Sequence, residues 1–508
     1  MELQTLRKLS KFLWAGLLIC LPVTSFRFIP FLGNGTFVRP LAIYPLVLLL
    51  PILAFRIYKK DLPNPFPPLL NVLVLFVLAS IASLFAGAAN LPIELGGVGF
   101  MDRGIRAMAT LAIGLAFLLA AVWSNQNEDD VWFTVRWSMV GLIATIFWSL
   151  IQFYGLNHGW RELLTKIQGL YSARGLVKNK RVSGFAYEPS WLAGQITAVY
   201  LPWLFATILQ PTQPWYPLFH NKWGGWFSDR FKVDLAALAL FFGSLIVILF
   251  TYSRSGLVLA FVALGITYLL AGRQHFVSII HWFRNGFANP LTGSKDRLKA
   301  LLPRILVIIT LVAIIAGAGS FLADKGYIAA FADINVESVP EYITNIYLGP
   351  RVAYLQASLA GYLQNPLFGV GPGASGFWIY QNIPDWSLAG NPEIARQLSP
   401  STNIFPNPKN LPIKLLAETG ILGFCLYLVF MLSIIKTAYA MATQNQNDRS
   451  PRSENQRWIG IAGLAGLISI LILGFSQDSF AMPELWLMPG ILMGVYNSGN
   501  FIRSRRNE

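Results

Sequence analysis

The chain has 508 residues, of which 55% are hydrophobic and only 12% are charged, whereas a soluble domain carries about 25% charged residues. So little charge cannot cover a soluble surface, and a chain of soluble domains is therefore excluded. The net charge of +15 comes from 39 Lys and Arg against 24 Asp and Glu, and in a membrane protein such an excess reports topology more often than nucleic-acid binding.

Twelve apolar windows are long enough to be membrane-spanning helices, each of which takes roughly 20 residues. They run over 12–32, 41–55, 67–89, 105–123, 132–154, 189–209, 234–252, 255–271, 301–322, 411–436, 458–475 and 481–498. We predict an all-α fold, a polytopic integral membrane protein with about twelve transmembrane helices in a single domain over 1–508. Basic residues before the first window are also typical of a signal peptide, but this apolar run is longer than usual, which favours a retained anchor.

The distribution of Lys and Arg predicts the orientation in the membrane. Placing the N-terminus in the cytoplasm puts most basic residues on that side, and most of the others fall in two long loops, 155–188 and 323–410. Long loops have little influence on topology, so both termini are predicted to be cytoplasmic. The 323–410 loop would then be an external subdomain carrying short helices, and ordered loops of this length are usually functional.

Three arginines fall at the predicted outer interface, where basic residues are otherwise sparse. Arg181 precedes a predicted span, Arg254 lies in a very short turn between two spans, and Arg351 follows Gly349-Pro350. Each alone could snorkel or form an ion pair, but arginines in such places generally face a cavity or a partner. Because a guanidinium matches phosphate oxygens two at a time, the three together predict binding of a diphosphate whose lipid tail stays in the bilayer.

Four short motifs follow one another over roughly residues 180–430. They are Arg181–Gln195, Ser253-Arg254-Ser255-Gly256-Leu257, Arg351–Gly373 with its Asn365-Pro366-Leu367-Phe368-Gly369-Val370-Gly371 run, and Asn410–Gly423 with its Leu416-Ala417-Glu418-Thr419-Gly420 run. In their order, topology and long outer loop, these motifs resemble the O-antigen ligase and O-antigen polymerase family of bacterial polysaccharide assembly.

The resemblance implies a glycosyltransferase on the outer face of the bacterial plasma membrane. Such an enzyme takes a glycan from a polyprenyl-diphosphate carrier and transfers it to a hydroxyl of a glycan or lipid-glycan acceptor, with no metal or other cofactor. Arg254 and Arg351 match the family's arginine motifs, and Arg181 matches less tightly. They would stabilise the departing polyprenyl diphosphate, which gains charge as the glycosidic bond breaks.

One position departs from the family pattern. Ligases of this family carry a His-Asn pair before the stretch that contains Glu418, whereas this chain has Lys409-Asn410. A lysine ammonium is a poor base, so Lys409 would bind phosphate, or act as a base if burial stabilised its neutral form. Glu188, at the mouth of a span, is the other candidate base, and a carboxylate paired to an arginine is an equal account of it. The missing histidine slightly favours an O-antigen or exopolysaccharide polymerase over a lipopolysaccharide ligase.

Three aromatic residues of the outer loop, Trp378, Tyr380 and Trp386, could stack on sugar faces. Trp and Tyr are also enriched at membrane interfaces, and this second account is the favoured one. No metal-ligand spacing, Ser-His-Asp order or nucleic-acid module occurs in the sequence, and Cys20 and Cys425 both lie in apolar stretches, so no zinc cluster is expected.

A secondary transporter of a small anionic solute such as bicarbonate is the rival hypothesis, because twelve spans are common in transporters. Transporters usually place charged or broken helices at the membrane midplane, in two repeated halves. Here the polar candidates cluster at the outer interface and no repeated halves are evident. The sequence therefore favours the glycosyltransferase, while the oligomeric state stays unknown.

Overall fold

The computed structural model describes residues 3–28, 36–62, 66–90, 94–95, 97–176, 180–210, 230–272, isolated positions between 276 and 320, and 338–346, 348–388, 391–399, 405–443 and 451–506. These residues are mostly helical. The α-helices are α1 (Leu3–Cys20), α2 (Ile43–Tyr58), α3 (Leu69–Asn90), α4 (Phe100–Ser124), α5 (Glu128–Asn157), α6 (Arg161–Tyr171), α7 (Pro189–Gln195), α8 (Leu201–Leu209), α9 (Arg230–Phe250), α10 (Arg254–Ala271), α11 (Val339–Asn345), α12 (Gly349–Gln364), α13 (Ser375–Asn382), α14 (Pro392–Leu398), α15 (Leu411–Ala442), α16 (Pro451–Leu473) and α17 (Glu484–Arg506).

Three smaller elements complete the described structure. A π-helix, Ile196–Tyr200, joins α7 to α8, so that the three form one continuous rod. A hairpin of two-residue strands, β1 (Glu94–Leu95) and β2 (Val98–Gly99), pairs antiparallel between α3 and α4, with Glu94 opposite Gly99. A single 3₁₀ turn, Asp385–Ser387, follows α13.

Seven of the described helical segments are long and apolar enough to cross a membrane. They are Leu69–Ala89, Phe100–Ser124, Glu128–Asn157, Pro189–Leu209, Arg254–Ala271, Leu411–Ala442 and Ser453–Leu473, and shorter apolar helices cover Ile43–Tyr58, Leu235–Phe250 and Glu484–Tyr496. The prediction of an all-α membrane protein is confirmed. The number of twelve spans stays a prediction, since the predicted window 301–322 lies mostly outside the described residues.

The first helix differs from its predicted window. The apolar window runs over 12–32, but α1 ends at Cys20, and Leu21 and Pro22 are buried without being helical. Proline lacks the amide hydrogen that a continuing helix needs and restricts the residue before it. The helix therefore stops where hydropathy alone would extend it.

The helix ends gather at two faces. At one face, Asp61 after α2 accepts a hydrogen bond from Arg56 at 2.8 Å and pairs with Arg7 of α1, and Asn455 of α16 donates to Glu128 of α5 at 2.8 Å. We call this face, which holds the start of α1, the terminal end. The opposite face carries α11–α14, and we call it the loop end.

A bend in α15 lets the segment that follows α12 dock on the bundle. Gly420 has φ 64 and ψ −169, outside the helical region, so helical hydrogen bonds are interrupted there. The segment after α12 takes them up, because Val370 N donates to the Ala417 carbonyl at 2.8 Å and Gly371 N to the Glu418 carbonyl at 3.0 Å. Buried backbone groups need partners, so the bend and the docked segment stabilise each other.

Candidate functional site at the loop end

Arg181 lies beside the turn that joins α9 to α10. Its Nε donates to the Thr251 carbonyl at 2.9 Å, and the amide of Val182 donates to the Phe250 carbonyl at 3.1 Å. Arg254 begins α10 directly after this turn. The structure therefore brings Arg181 and Arg254 to one turn, although they are far apart in the sequence.

Buried glutamines hold the segment that follows Arg181. Gln152 Oε1 accepts from the amides of Ser183 and Gly184 at 3.2 and 2.8 Å, and Gln168 Nε2 donates to Ser183 Oγ at 3.2 Å. Gly184 has a φ of +56, a left-handed conformation that glycine adopts without strain. These bonds fix the segment against α5 and α6 and so position Arg181.

The turn before Arg254 is shaped by a helix cap and by close packing. Ser253 Oγ accepts from the amide of Gly256 at 3.2 Å, the usual arrangement at a helix N-cap. Gly256 lies so close to Ala193 of α7 that a side chain there would overlap it. Arg254 is half-buried in the first turn of α10, at the positive end of the helix dipole.

Glu188 forms an ion pair with Arg174, not with Arg181. Ser190 Oγ also donates to Glu188 Oε2 at 3.4 Å, and the Arg174 guanidinium lies 5.2 Å from the centre of the Tyr187 ring. About 37% of the Glu188 side chain is exposed. The carboxylate therefore already has a cationic partner, which favours the ion-pair account of this residue over its role as a base.

Lys409 pairs with an acidic residue that the sequence did not suggest, and Arg351 lies near enough to interact with its charge. Lys409 Nζ forms an ion pair with Glu393 of α14, and Gln397 Nε2 donates to Glu393 Oε1 at 2.9 Å. Burial alone would raise the pKa of the Glu393 carboxyl, but Lys409, Gln397 and the charge of Arg351 outweigh it, so this pKa lies below its usual value. Glu393 therefore stays ionised and holds Lys409 on the side of α14.

The backbone of Lys409 adopts an uncommon conformation for a non-glycine residue. Its φ is 52, in the left-handed region where a side chain is strained. In this conformation its amide donates to Asn407 Oδ1 at 3.2 Å and to Asp478 Oδ2 at 3.0 Å. The next residue, Asn410, caps α15 by accepting from the amide of Ile413 at 3.0 Å.

Glu418 is buried in the bend of α15, with 5% of its surface exposed. Its Oε1 accepts from Ser375 Oγ at 2.7 Å. Arg103, in the first turn of α4, lies near enough to both Glu418 and Asp478 to interact with their charges. Its guanidinium also lies 4.3 Å from the centre of the Phe405 ring.

The three loop aromatics differ in their surroundings. Trp378 is only 9% exposed, and its ring packs against Gly361 of α12. Tyr380 packs edge-on to Phe405, with ring centres 6.1 Å apart, and Trp386 Nε1 donates to Gln356 Oε1 at 3.3 Å. Packing within the loop accounts for Trp378, whereas Tyr380 and Trp386 keep partly exposed faces.

The cationic candidates thus form two groups, which we call the turn pair (Arg181 and Arg254) and the loop pair (Arg351 and Lys409). A chain of contacts connects them. Gly256, near the turn pair, packs on Ala193, and the adjacent Gly194 packs on Gln477. Gln477 is followed by Asp478, which is hydrogen-bonded to Lys409 of the loop pair.

Sequence reasoning missed Glu393, Asp478 and Arg103. Glu393 follows Asn391-Pro392, a pattern that predicts the start of a helix and indicates no function. Arg103 stands next to Asp102 near the start of an apolar helix, where charged residues are common. Asp478 stands in the short polar break between the last two apolar windows, and this break was a usable signal. Among the described residues, no group of three or more His, Cys, Asp or Glu side chains could hold a metal ion.

Comparison with known families identifies the central part of the chain. Residues 239–428 match the model of the O-antigen ligase family. The matched region includes Arg254, Arg351 and Lys409, while Arg181 precedes it and Asp478 follows it. No curated protein matches the chain. The resemblance to the O-antigen ligase and polymerase family is confirmed by this match.

Proposed function

Because residues 239–428 belong to the O-antigen ligase family, we propose that this membrane protein polymerises or ligates glycans carried on a polyprenyl diphosphate. The reaction takes place at the loop end, on the outer face of the bacterial plasma membrane, with both termini in the cytoplasm. The donor's lipid tail stays in the bilayer while its diphosphate meets the turn pair and the loop pair.

One observation carries this proposal. Arg254 is the first residue of α10, Arg351 lies in the first turn of α12, and Lys409 stands just before the cap of α15. Helix N-termini carry partial positive charge, so a cation there is unfavourable by about 0.3–1 kcal/mol, whereas an anion is favoured. Three cations at three such positions on one end of the protein favour an anionic ligand at that end.

The chemistry assigned to these groups is stabilisation of the leaving group. As the bond between the anomeric carbon and the diphosphate breaks, negative charge develops on the phosphate oxygens. Guanidinium groups bind such oxygens in a bidentate manner and keep their charge at any working pH. The positive ends of α10 and α12 add to this stabilisation, which requires no rearrangement during the reaction.

Lys409 is assigned to phosphate binding and not to base catalysis. Its ammonium forms an ion pair with Glu393 and lies 5.3 Å from the centre of the Tyr354 ring. Both contacts are those of an ammonium group, and a phosphate oxygen offers it the same kind of charge-assisted hydrogen bond. Polymerisation remains slightly favoured over ligation, because no histidine stands at this position.

The test is to substitute Arg254 and Arg351 singly with alanine and to measure glycan transfer by purified protein in lipid vesicles. We expect turnover to fall by about 100-fold to 1000-fold for each, as when one preorganised donor is removed from a charge-stabilising site. Arg27→Ala is the matched control, because Arg27 is an exposed arginine of the loop end that donates to the Gly169 carbonyl. It should leave transfer unchanged.

Two outcomes would overturn the proposal. One is glycan length and amount unchanged in cells that carry either variant at normal membrane levels. The other is uptake of a labelled anionic solute such as bicarbonate by vesicles with the native protein and its loss in the Arg351 variant, which would establish the transporter instead.

A further inference from the structure

The connection between α16 and α17 lies between the turn pair and the loop pair. Gln477 packs against Gly194, next to the residue that supports the α10 turn, while Asp478 contacts the segment before α15. Both belong to a connection outside the region that matches the family. A substrate that reached from one pair to the other would therefore lie close to this connection.

Asp478 is held from two sides. Its Oδ2 accepts from the amide of Lys409 at 3.0 Å, and its main-chain carbonyl accepts from Lys414 Nζ at 3.0 Å. Only 9% of the residue is exposed. No hydrogen bond to the second carboxylate oxygen, Oδ1, occurs within the part of the chain that the structure describes. The carboxylate is thus positioned through one oxygen while the other is available.

The strained backbone of Lys409 serves this arrangement. A residue with positive φ costs free energy of order 1–3 kcal/mol unless it is glycine or is held by its surroundings, and such residues cluster at functional sites. Here the left-handed conformation directs the Lys409 amide at the Asp478 carboxylate, and the strain is explained by this hydrogen bond.

Three other carboxylates at this end already have partners. Glu188 pairs with Arg174 and Glu393 pairs with Lys409. Glu418 accepts from Ser375 in the bend of α15. Asp478 combines burial, a fixed orientation and an available oxygen.

We propose that Asp478 is the general base that activates the acceptor hydroxyl, an inference that rests on the proposed glycan transfer. The acceptor oxygen forms a bond to the anomeric carbon of the donor, and the bond from that carbon to the diphosphate oxygen breaks. The bonding electron pair leaves with the polyprenyl diphosphate, which the arginines stabilise. The hydroxyl proton passes to the Asp478 carboxylate and then to water, so the products are the extended glycan and the free carrier diphosphate.

The charged groups that face Asp478 are Lys409 and Lys414 from the side of α15 and Arg103 from α4. Lys409 and Lys414 hold the residue through its Oδ2 and its main-chain carbonyl, and neither contact uses Oδ1. A general base must be unprotonated to accept the proton, so turnover should fall in acid. We expect this loss of turnover at low pH, the acid limb of the pH profile, to depend on Asp478.

Asp478→Asn separates catalysis from structure. The asparagine amide oxygen still accepts the Lys409 amide, so a purely structural role would leave transfer nearly intact. Loss of a base should lower turnover by about 100-fold to 10,000-fold and abolish the acid limb. The donor concentration for half-saturation should change by less than about threefold, because donor binding does not use this residue. Asp478→Glu keeps a carboxylate and should retain part of the turnover, with the acid limb moved to a different pH because the two carboxyl groups differ in ordinary pKa.

The matched control is Asp385→Asn, which removes an exposed carboxylate of the same end and should leave transfer unchanged. If Arg254→Ala loses transfer while Asp478→Asn keeps it, the base assignment is wrong and the proposed function stands. If neither variant loses transfer, both fail. Should Asp478→Asn not accumulate in the membrane, Asp478→Glu decides, and an acid limb that this variant leaves unmoved overturns the assignment.

Discussion

The two ends of the protein use charged residues differently. At the terminal end, the Asp61 side chain is 1% exposed and is paired with both Arg7 and Arg56, and Lys11 lies 3.4 Å from Asp130. At the loop end, Arg254, Arg351 and Lys409 stand at the positive ends of helices. The terminal end pairs its cations with carboxylates. The loop end also contains the ion pairs Arg174–Glu188 and Lys409–Glu393, but it places cations where the helices already contribute positive charge.

This difference shows how the role of a basic residue can be inferred in an apolar protein. The paired cations at the terminal end are among the basic residues to which the sequence assigned a topological role. At the loop end, Arg254, Arg351 and Lys409 stand where a helix dipole favours an anion over a cation. This placement, more than the number of charges, favours binding of the diphosphate there.

Among the variants that test this comparison between the two ends, the largest effect is expected from Gly420, where a substitution disturbs the bend of α15. In Gly420→Ala the new side chain would overlap the Leu367 carbonyl and would occupy a conformation that costs about 1–3 kcal/mol. Docking of the outer loop should weaken, transfer should fall at least about tenfold, and thermal stability in detergent should drop. Gly265→Ala is the control, because nothing lies within 4 Å of the added carbon. Equal behaviour of the two variants would show that the bend does not position the site.

A smaller effect, on stability alone, is expected at the terminal end. The hydrogen bond from Arg7 lowers the pKa of Asp61, and Arg56 adds to this against the opposing effect of burial. Asp61→Asn should cost about 1–3 kcal/mol of unfolding free energy, because two arginines lose a charged acceptor. Transfer per folded molecule should not change. Loss of transfer without loss of stability, measured on the same vesicles, would abolish the contrast between the two ends.

The smallest effect is expected at Glu393. Its ion pair with Lys409 is partly exposed, and such pairs contribute about 0.2–1 kcal/mol. Glu393→Gln should therefore reduce transfer by no more than about fivefold, with the donor concentration for half-saturation rising most, as Lys409 loses its support.

The same residue gives a dependence on pH. The pKa of Glu393 is lowered in the folded protein, so its contribution to stability is fully present above the ordinary pKa of a glutamate and is lost as pH falls through the lowered value. Hydrogen exchange of 391–399 should stay slow from neutral to mildly acidic pH and speed up only in stronger acid. In Glu393→Gln this acid-dependent step should be missing, and its persistence would mean that another group titrates.

The sequence predicted the parts of the site better than their partners. Arg254 and Arg351 were recognisable because arginine is rare at an outer interface and because both belong to short motifs. The partner of Glu188 was not, since Arg174 is one of several basic residues in a long loop. Glu393 gave no local signal, because its role comes from Lys409, which approaches it only when α14 packs beside the start of α15.

By itself the sequence determined that the protein is helical and lies in a membrane. Hydrocarbon leaves a backbone few ways to satisfy its hydrogen bonds, so apolar length and charge distribution specify such a fold directly. Tertiary structure decided which side chains meet. The amide of Lys409 reaches Asp478 across 69 positions of sequence, and this contact depends on how α15, α16 and the loop pack, which no local pattern encodes.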